Sequence, residues 1–306
     1  MKLTMVGAGR VGSTTLFQLV LEGGIEEFVI VDVRTEVAEG EALDLRHGLA
    51  QSYRTRIVAG DYDATAGSDI VVITAGVPRK PGDTRLDLLR TNVELMRGIL
   101  DNVARYSPNA LLFVVSNPVD VLTYQALRQT GWPEERVFGL GTVLDTTRFR
   151  SLLAERLEVS PDSVIAYMLG EHGDSMVPLL SSASVAGIPL DQFPGYSPQM
   201  VQEVVEATRN GGAEVIKRKG GTFYSVAPSI CAVLRAVRWD LKQVLPVTSL
   251  VDGPLGLHNM CLSLPCIVGQ RGRERVLVPP MTDQEREALQ RSHRVLREAA
   301  DSVGLP

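Results

Sequence analysis

The sequence predicts an α/β protein in which a doubly wound parallel sheet is followed by an α+β domain. Two patterns indicate this fold. In the first half of the chain, short runs rich in β-branched residues alternate with longer segments whose apolar residues recur at helical spacing. After about residue 141, long helical patterns alternate with short strand-like runs. We therefore expect two domains, at residues 1–144 and 145–306.

The first half contains four expected strands, at residues 3–6, 28–31, 70–74 and 111–115. Helical patterns occupy residues 11–21, 36–49 and 86–104. Each of these helical segments is long enough to cross over a sheet. Successive strands therefore run in the same direction, with helices covering the sheet.

The second half is richer in helix. Helices are expected at residues 145–157, 197–217 and 223–239, and strands near 163–168, 244–250 and 261–268. A last helix begins after Thr282, because a threonine followed three residues later by Glu285 is typical of a capping box. It continues amphipathically to about Ser302.

The bulk composition excludes several classes of protein. The 306 residues are 44% hydrophobic and 22% charged, enough to bury the cores of two domains. A formal net charge of -5 argues against nucleic-acid binding. Three cysteines fit neither a disulfide framework nor a zinc site, so we expect reduced thiols and no metal. The first apolar run is too short for a signal peptide or membrane span, which favours a cytoplasmic location.

A glycine-rich turn, Gly7-Ala8-Gly9-Arg10-Val11-Gly12, follows the first strand and opens the first helix. The three glycines permit a tight turn, close approach of a pyrophosphate and close packing of helix on strand, as in Rossmann dinucleotide-binding turns. Asp32 ends the second strand, where a carboxylate binds ribose hydroxyls and repels a 2′-phosphate. The turn predicts NAD rather than NADP, although Arg34 weakens that preference. The alternative is a tight turn beside a surface aspartate.

A loop at residues 74–85 contains the cations Arg79, Lys80 and Arg85 between a strand and a helix. At the carboxyl end of a parallel sheet, such a loop can close over an anionic substrate. A solvated basic loop explains the same composition, and the composition alone does not separate the two interpretations.

Two further segments contain candidate acid–base chemistry, at residues 144–150 and 170–175. Asp145 and Arg148 are three residues apart on an expected helix and so share one face. His172 is a candidate base for an alcohol proton, with Asp145 to orient its ring and Arg148 to bind a carboxylate. Spacing alone leaves open that His172 is an ordinary surface histidine.

Five motifs together resemble the lactate/malate dehydrogenase family, in the family's order and over essentially the whole chain: GAGRVG, TAGVPRKPGDTR, SNPVD, LDTTRFR and GEHGDS. The resemblance implies that His172 exchanges the proton with Asp145 as its partner and that Arg148 binds the substrate carboxylate. It implies that Arg85 polarises the carbonyl. The further residues that it implies for substrate and NAD are Arg79, Gly7, Gly9, Arg10, Val11, Gly12, Asp32, Gly76, Asn92, Val115 and Asn117.

The choice of substrate rests on Arg79, which stands where this family has arginine for malate and usually glutamine for lactate. A second carboxylate under a closed loop needs a charge partner. The sequence therefore predicts an NAD-dependent malate dehydrogenase of the tricarboxylic acid cycle. Asp83, Thr222 and the segment CLSLP at 261–265 resemble lactate enzymes instead. The alternative is an L-lactate dehydrogenase or an enzyme of dual specificity.

The resemblance also bears on regulation and assembly. Allosteric lactate enzymes of the family bind a sugar bisphosphate through an arginine, matched by Arg150, and a histidine, replaced here by Ile165. We expect no strong activation by fructose 1,6-bisphosphate. A homotetramer is expected, with a dimer as the alternative.

Two other functions are alternatives to a dehydrogenase. One is a nonenzymatic NAD sensor, which does not need the His172 segment, and the other is an NAD-dependent glycosidase, which would need metal ligands.

Overall fold

Residues 1–49, 55–78 and 84–306 are described by the structure, a computed structural model. The elements of the first half are β1 (Lys2–Val6), α1 (Arg10–Glu22), β2 (Glu27–Val31), α2 (Thr35–Leu49), β3 (Arg56–Ala59), β4 (Ile70–Ile73), α3 (Arg85–Tyr106), β5 (Leu111–Val114), α4 (Val119–Thr130) and β6 (Val137–Gly139). The expected strands and helices of this half are all present. The elements β3, α4 and β6 were not expected.

These six strands form a parallel sheet in the order β3-β2-β1-β4-β5-β6. The order reverses between β1 and β4. Val6 at the end of β1 pairs with Val31 of β2 on one side and with Ile73 of β4 on the other. The connections leave this edge in opposite directions and open a crevice there, which is where such sheets bind ligands.

The elements of the second half are α5 (Val143–Leu157), β7 (Val164–Leu169), β8 (Val177–Val185), β9 (Ile188–Pro189), α6 (Pro198–Lys219), α7 (Val226–Arg238), β10 (Gln243–Leu245), β11 (Thr248–Val251), β12 (Met260–Ser263), β13 (Cys266–Gly269), β14 (Gly272–Val276) and α8 (Asp283–Ser302). The expected capping box is present, since Thr282 accepts from the Glu285 amide and Glu285 accepts from the Thr282 amide. Short 3-10 turns link several elements.

Strands from late in the chain complete the first sheet. β11 and β12 extend it antiparallel beyond β6, giving eight strands in all. Two smaller antiparallel sheets, β7-β8-β9 and β10-β13-β14, lie outside it. The sequence indicated strands near β7, β10, β11, β12 and β13, but it missed β8, β9 and β14. It did not indicate which sheet each strand joins, because a short apolar run carries no information about its partner.

Helices cover both faces of the large sheet. Buried residues of α1, α2 and α7 pack on one face, and those of α3, α4 and α8 pack on the other. A third core joins α5 and α6 to β7 and β8. The predicted fold class is confirmed. All three cysteines are buried free thiols. Within the described ranges, no helix has the length and apolarity needed to cross a membrane.

Candidate active site

His172 lies on a loop at residues 170–175, here called the histidine loop, which connects β7 to β8. Gly170 and Ser263 of β12 exchange two backbone hydrogen bonds, each 2.9 Å long. The Glu171 amide donates to Ser292 Oγ of α8 at 2.8 Å. The Glu171 carboxylate accepts from the Ser175 amide and hydroxyl. The loop is therefore fixed by elements that are distant from it in sequence.

The imidazole of His172 is bound to Asp145 of α5. Nδ1 lies 2.5 Å from Asp145 Oδ2, and the Asp145 side chain is only 2% exposed while that of His172 is 26% exposed. The Asp145 charge raises the pKa of His172 to about 9. With Nδ1 engaged, Nε2 is the ring nitrogen that remains for a substrate.

Arg148 is the second partner of Asp145. Its Nη1 donates to Asp145 Oδ1 at 3.2 Å and to the carbonyl of Thr208 in α6 at 3.0 Å. Burial alone would raise the pKa of Asp145, but His172 and Arg148 together hold it below its ordinary value. One ionised carboxylate thus uses a separate oxygen to hold each of the two cations.

The backbone of His172 is bound by a second buried carboxylate. Asp120, at the start of α4, accepts the His172 amide at 2.8 Å through Oδ2 and the Thr248 hydroxyl through Oδ1. The Asp120 residue is 2% exposed, and burial raises the pKa of its carboxyl to about 6. Asp120 is part of the SNPVD motif, and no function was predicted for it from the sequence. The available signal was a carboxylate between Val119 and Val121 at the start of a buried helix.

The carboxyl ends of β1, β2 and β4 surround a cavity of about 700 Å³, lined by Gly7, Gly9, Asp32, Gly76 and others. Gly7 has a φ of +111°, and a Cβ there would lie 2.6 Å from the Ala75 nitrogen. Gly9 also lines the cavity, and a Cβ there would meet only open space. The turn thus leaves room beside the amino end of α1, where a pyrophosphate fits.

Asp32 is fixed at the same end of the cavity. Its Oδ2 accepts the Ala8 amide at 2.7 Å and its Oδ1 accepts the Arg34 amide at 2.9 Å. The Arg34 side chain lies 3.7 Å from the same carboxylate. Gly12 packs against the turn, since a Cβ there would lie 2.0 Å from the Gly7 carbonyl oxygen. The cavity, the glycines and the carboxylate fit a bound NAD molecule.

The remaining expected cofactor residues are not part of the lining of this cavity and lie on segments next to it. Asn92 joins two loops, because its side chain exchanges hydrogen bonds with the Val77 backbone and donates to the Asn117 carbonyl at 3.1 Å. Val115 is buried directly after β5, and Asn117, two residues further along the chain, is exposed. Val11 is half-buried in the first turn of α1. The Arg10 guanidinium lies 5.6 Å from the centre of the Phe223 ring.

The predicted anion-binding loop is described only in part. Arg85 begins α3, and its Nη2 lies 2.5 Å from the Asp174 carboxylate of the histidine loop. Both side chains are exposed. Arg79, Lys80 and Asp83 lie outside the described residues. The structure therefore brings Arg85 next to the histidine loop and gives no position for Arg79.

The two positions that the sequence analysis compared with a sugar-bisphosphate site lie on α5 and β7. The Arg150 Nε donates to the Ala166 carbonyl at 2.8 Å, and its guanidinium lies 4.8 Å from the centre of the Tyr167 ring. Ile165 is half exposed on β7. No group of three or more His, Cys, Asp or Glu side chains suited to a metal ion occurs among the described residues.

Comparisons with known proteins match the whole chain. The model of the lactate/malate dehydrogenase NAD-binding domain matches residues 1–139, and that of the family's α/β C-terminal domain matches residues 142–304. An L-lactate dehydrogenase from Synechococcus sp. (strain JA-3-3Ab) is 43% identical over 99% of both chains. Another from Acetivibrio thermocellus is 42% identical over 99% of this chain and 98% of its own.

Solved structures give the same result. The minor L-lactate dehydrogenase of Enterococcus mundtii, in a ligand-bound form, superposes with a TM-score of 0.96 and 36% identity over 100% of this chain and 99% of its own. A lactate dehydrogenase from a Medee basin deep-sea metagenome library superposes with a TM-score of 0.95 and 34% identity, covering 99% of this chain and 98% of its own.

The prediction of a malate dehydrogenase of the tricarboxylic acid cycle is wrong. Relatives that are 40–43% identical over the full length are L-lactate dehydrogenases, which favours the alternative given by the sequence analysis. The physical reason is that a loop arginine can keep its guanidinium in water. Arg79 does not, therefore, require a second carboxylate on the substrate.

The motifs predicted the family correctly. The His172–Asp145–Arg148 arrangement has the parts that oxidation of a 2-hydroxy acid requires, and the cavity has those that hold a dinucleotide. The chain belongs to the lactate/malate dehydrogenase family and is an NAD-dependent 2-hydroxy-acid dehydrogenase.

Proposed function

We propose that the protein is an L-lactate dehydrogenase, which interconverts pyruvate and L-lactate with NADH and NAD. The observation that supports the chemistry is the Asp145 carboxylate, which binds the His172 imidazole and the Arg148 guanidinium at once. The choice of pyruvate and lactate is supported by the L-lactate dehydrogenases that match the whole chain at 40–43% identity.

In the reductive direction, protonated His172 donates its Nε2 proton to the carbonyl oxygen of pyruvate. The Asp145 charge stabilises the imidazolium before transfer, because it raises the pKa of His172 to about 9. Bound NADH supplies the hydride that reduces the carbonyl carbon. The products are L-lactate, NAD and neutral His172. In the reverse direction, the neutral imidazole accepts the hydroxyl proton at the same Nε2.

Arg148 orients the substrate by binding its carboxylate. The Arg148 side chain is 18% exposed, and its Nη1 donates to Asp145 and to the Thr208 carbonyl. A planar guanidinium fixed in this way can bind a carboxylate with two parallel hydrogen bonds. That contact places the carbonyl next to His172 and fixes which face of the carbon receives the hydride.

We assign the remaining site residues on the same basis. Arg85 polarises the carbonyl oxygen after exchanging its contact with Asp174, and Asn117 contacts the substrate and the nicotinamide. Asp32 binds the adenosine ribose. The turn glycines with Arg10 and Val11 bind the pyrophosphate, and Gly76, Asn92 and Val115 line the rest of the cofactor site.

The division at residues 144/145 into an NAD-binding and a substrate-binding domain is part of the proposal. It is supported by the matches of the two family models to residues 1–139 and 142–304. A homotetramer, with a dimer as the alternative, and a cytoplasmic location complete the proposal.

A substrate panel tests this assignment. Oxidation of NADH is followed with pyruvate and with oxaloacetate, for the wild type and for His172→Gln. We expect a kcat/KM for pyruvate that is at least tenfold above that for oxaloacetate, and a loss of about 1000-fold or more with both substrates in His172→Gln. Equal or faster reduction of oxaloacetate would contradict the lactate assignment. Full activity in His172→Gln would contradict the mechanism.

A further inference from the structure

Asp120 is a buried ionisable side chain at the site, and the proposed proton and hydride transfer does not use it. It is 2% exposed, and it lies at the start of α4 behind the histidine loop. Its two oxygens have different donors, the His172 amide at 2.8 Å and the Thr248 hydroxyl of β11. A carboxylate this deeply buried is costly unless donors or charges compensate it.

We propose that Asp120 is a positioning residue for proton transfer, which fixes the backbone of His172 and adds a second negative charge that stabilises its imidazolium. Asp145 binds the ring of His172, and Asp120 binds the main-chain amide of the same residue. The histidine is therefore held by two buried carboxylates on two different helices. The proposal rests on the proposed function, since it assumes that His172 is the proton donor.

The charges around the pair favour this arrangement. α5 contributes Asp145 and Arg148, of which the first raises and the second lowers the pKa of His172. Asp120 raises it as well. Around Asp120 itself, burial is the largest influence on the carboxyl, Glu171 of the histidine loop is the neighbouring like charge, and His172 is the neighbouring cation.

The strands β11 and β12 contribute uncharged groups next to Asp120. β11 contributes the Thr248 hydroxyl, and β12 contributes Cys261, whose thiol is kept neutral because burial raises its pKa far above the ordinary value. With a pKa of about 6, Asp120 is ionised over the alkaline range in which His172 titrates. His172 is then the nearby cation that an ionised Asp120 stabilises.

The test is the Asp120→Asn variant. Asparagine keeps an oxygen for the His172 amide and can donate to the Thr248 oxygen, so the hydrogen bonds persist while the charge is lost. Pyruvate reduction needs protonated His172, so kcat/KM for pyruvate is highest at low pH and falls as the pH rises through the pKa of His172. We expect this alkaline limb of kcat/KM to move to lower pH by about half a unit or more.

The matched control is Asp252→Asn, which removes an exposed carboxylate that lies 2.9 Å from the ring of another histidine, His258. Its alkaline limb should coincide with that of the wild type, and the Kd for NADH, measured by fluorescence, should be unchanged in both variants. An alkaline limb of Asp120→Asn that coincides with the wild type would overturn the proposal, even if kcat or Tm fell.

A second pair of variants covers the case in which Asp120→Asn does not fold. Asp120→Ser removes the charge but keeps an oxygen that can accept a hydrogen bond, so its alkaline limb should move to lower pH as in Asp120→Asn. Thr248→Val removes one donor to Asp120 but leaves the carboxylate ionised near the pKa of His172, so its limb should not move to lower pH. A limb of Asp120→Ser that coincides with that of the wild type would overturn the proposal, and so would a limb of Thr248→Val that falls as far as that of Asp120→Ser.

All these profiles are measured with whichever 2-oxo acid the wild type reduces fastest. Faster reduction of oxaloacetate than of pyruvate would thus contradict the lactate assignment, while the pH profiles would still test the role of Asp120. A wild type without a 2-oxo acid reductase activity would defeat the proposed function itself.

Discussion

The Asp145→Asn substitution tests the site most directly. Asp145 uses Oδ2 for the His172 ring at 2.5 Å and Oδ1 for Arg148 at 3.2 Å. Asparagine has only one oxygen, so its NH₂ group must face one of the two donors. The variant therefore loses a charge and one of the two hydrogen bonds together.

The magnitude follows from the pKa of His172. Asp145 is the largest cause of its rise from 6.5 to about 9, a difference of about 2.5 that corresponds to about 3 kcal/mol favouring the imidazolium. Without that charge, the pKa returns to about 6.5 or below, because burial lowers it. At pH 8 the protonated fraction falls from about nine-tenths to about 3%, a factor of about 30.

The lost hydrogen bond adds to this factor, so we expect kcat/KM for pyruvate at pH 8 to fall by about 100-fold or more. The assay follows NADH oxidation from pH 5.5 to 10. In the wild type the alkaline limb should lie near 9, and in the variant it should lie below about 7. A limb that stays near 9 in Asp145→Asn would refute the argument that this carboxylate sets the protonation of His172.

Three further predictions concern the substrate, the cofactor and regulation. Gly211→Ala should raise the KM for pyruvate about tenfold, because its Cβ would lie 2.6 Å from Arg148 Cδ, whereas Gly212→Ala has open space at its Cβ and should keep the wild-type KM. Initial rates measure the two KM values, and equal values would count against Arg148 as the residue that binds the substrate carboxylate. Asp32→Ala should lower kcat/KM for NADH about tenfold or more and should reduce the ratio of kcat/KM for NADH to kcat/KM for NADPH. An unchanged ratio would show that this carboxylate does not bind the ribose hydroxyls. Fructose 1,6-bisphosphate at millimolar concentration should leave the pyruvate saturation curve unchanged because Ile165 cannot bind a phosphate; strong activation would contradict this.

The sequence predicted the order of most elements because their patterns are local. The apolar spacing of α1, α2 and α3 and the capping box at Thr282 each lie within one segment of the chain. The strand β3 was missed because its four residues begin with an exposed arginine and only one of them is buried, whereas the predicted β4 and β5 are wholly apolar and buried. The strand β6 was missed because a run of three residues is too short for a pattern. Helix α4 was missed because nine of its residues are buried, which leaves no polar face.

The candidate site could be predicted only in part for the same reason. Asp145 and Arg148 are three residues apart, so their shared face follows from helical spacing, and motifs typical of the family associated them with His172. Asp120, Ser263 and their contacts to the histidine loop join residues far apart in sequence. No periodic pattern encodes such pairs.

The antiparallel addition of β11 and β12 to the parallel sheet also affects how the chain folds. A fragment that ends at residue 139 would leave β6 with an open edge, because the strand that covers it begins only at Thr248. An uncovered edge strand of this kind pairs with other molecules and aggregates. The part of the chain that binds NAD therefore depends on its last third for a closed edge, so recovery of activity after refolding reports folding of the whole polypeptide.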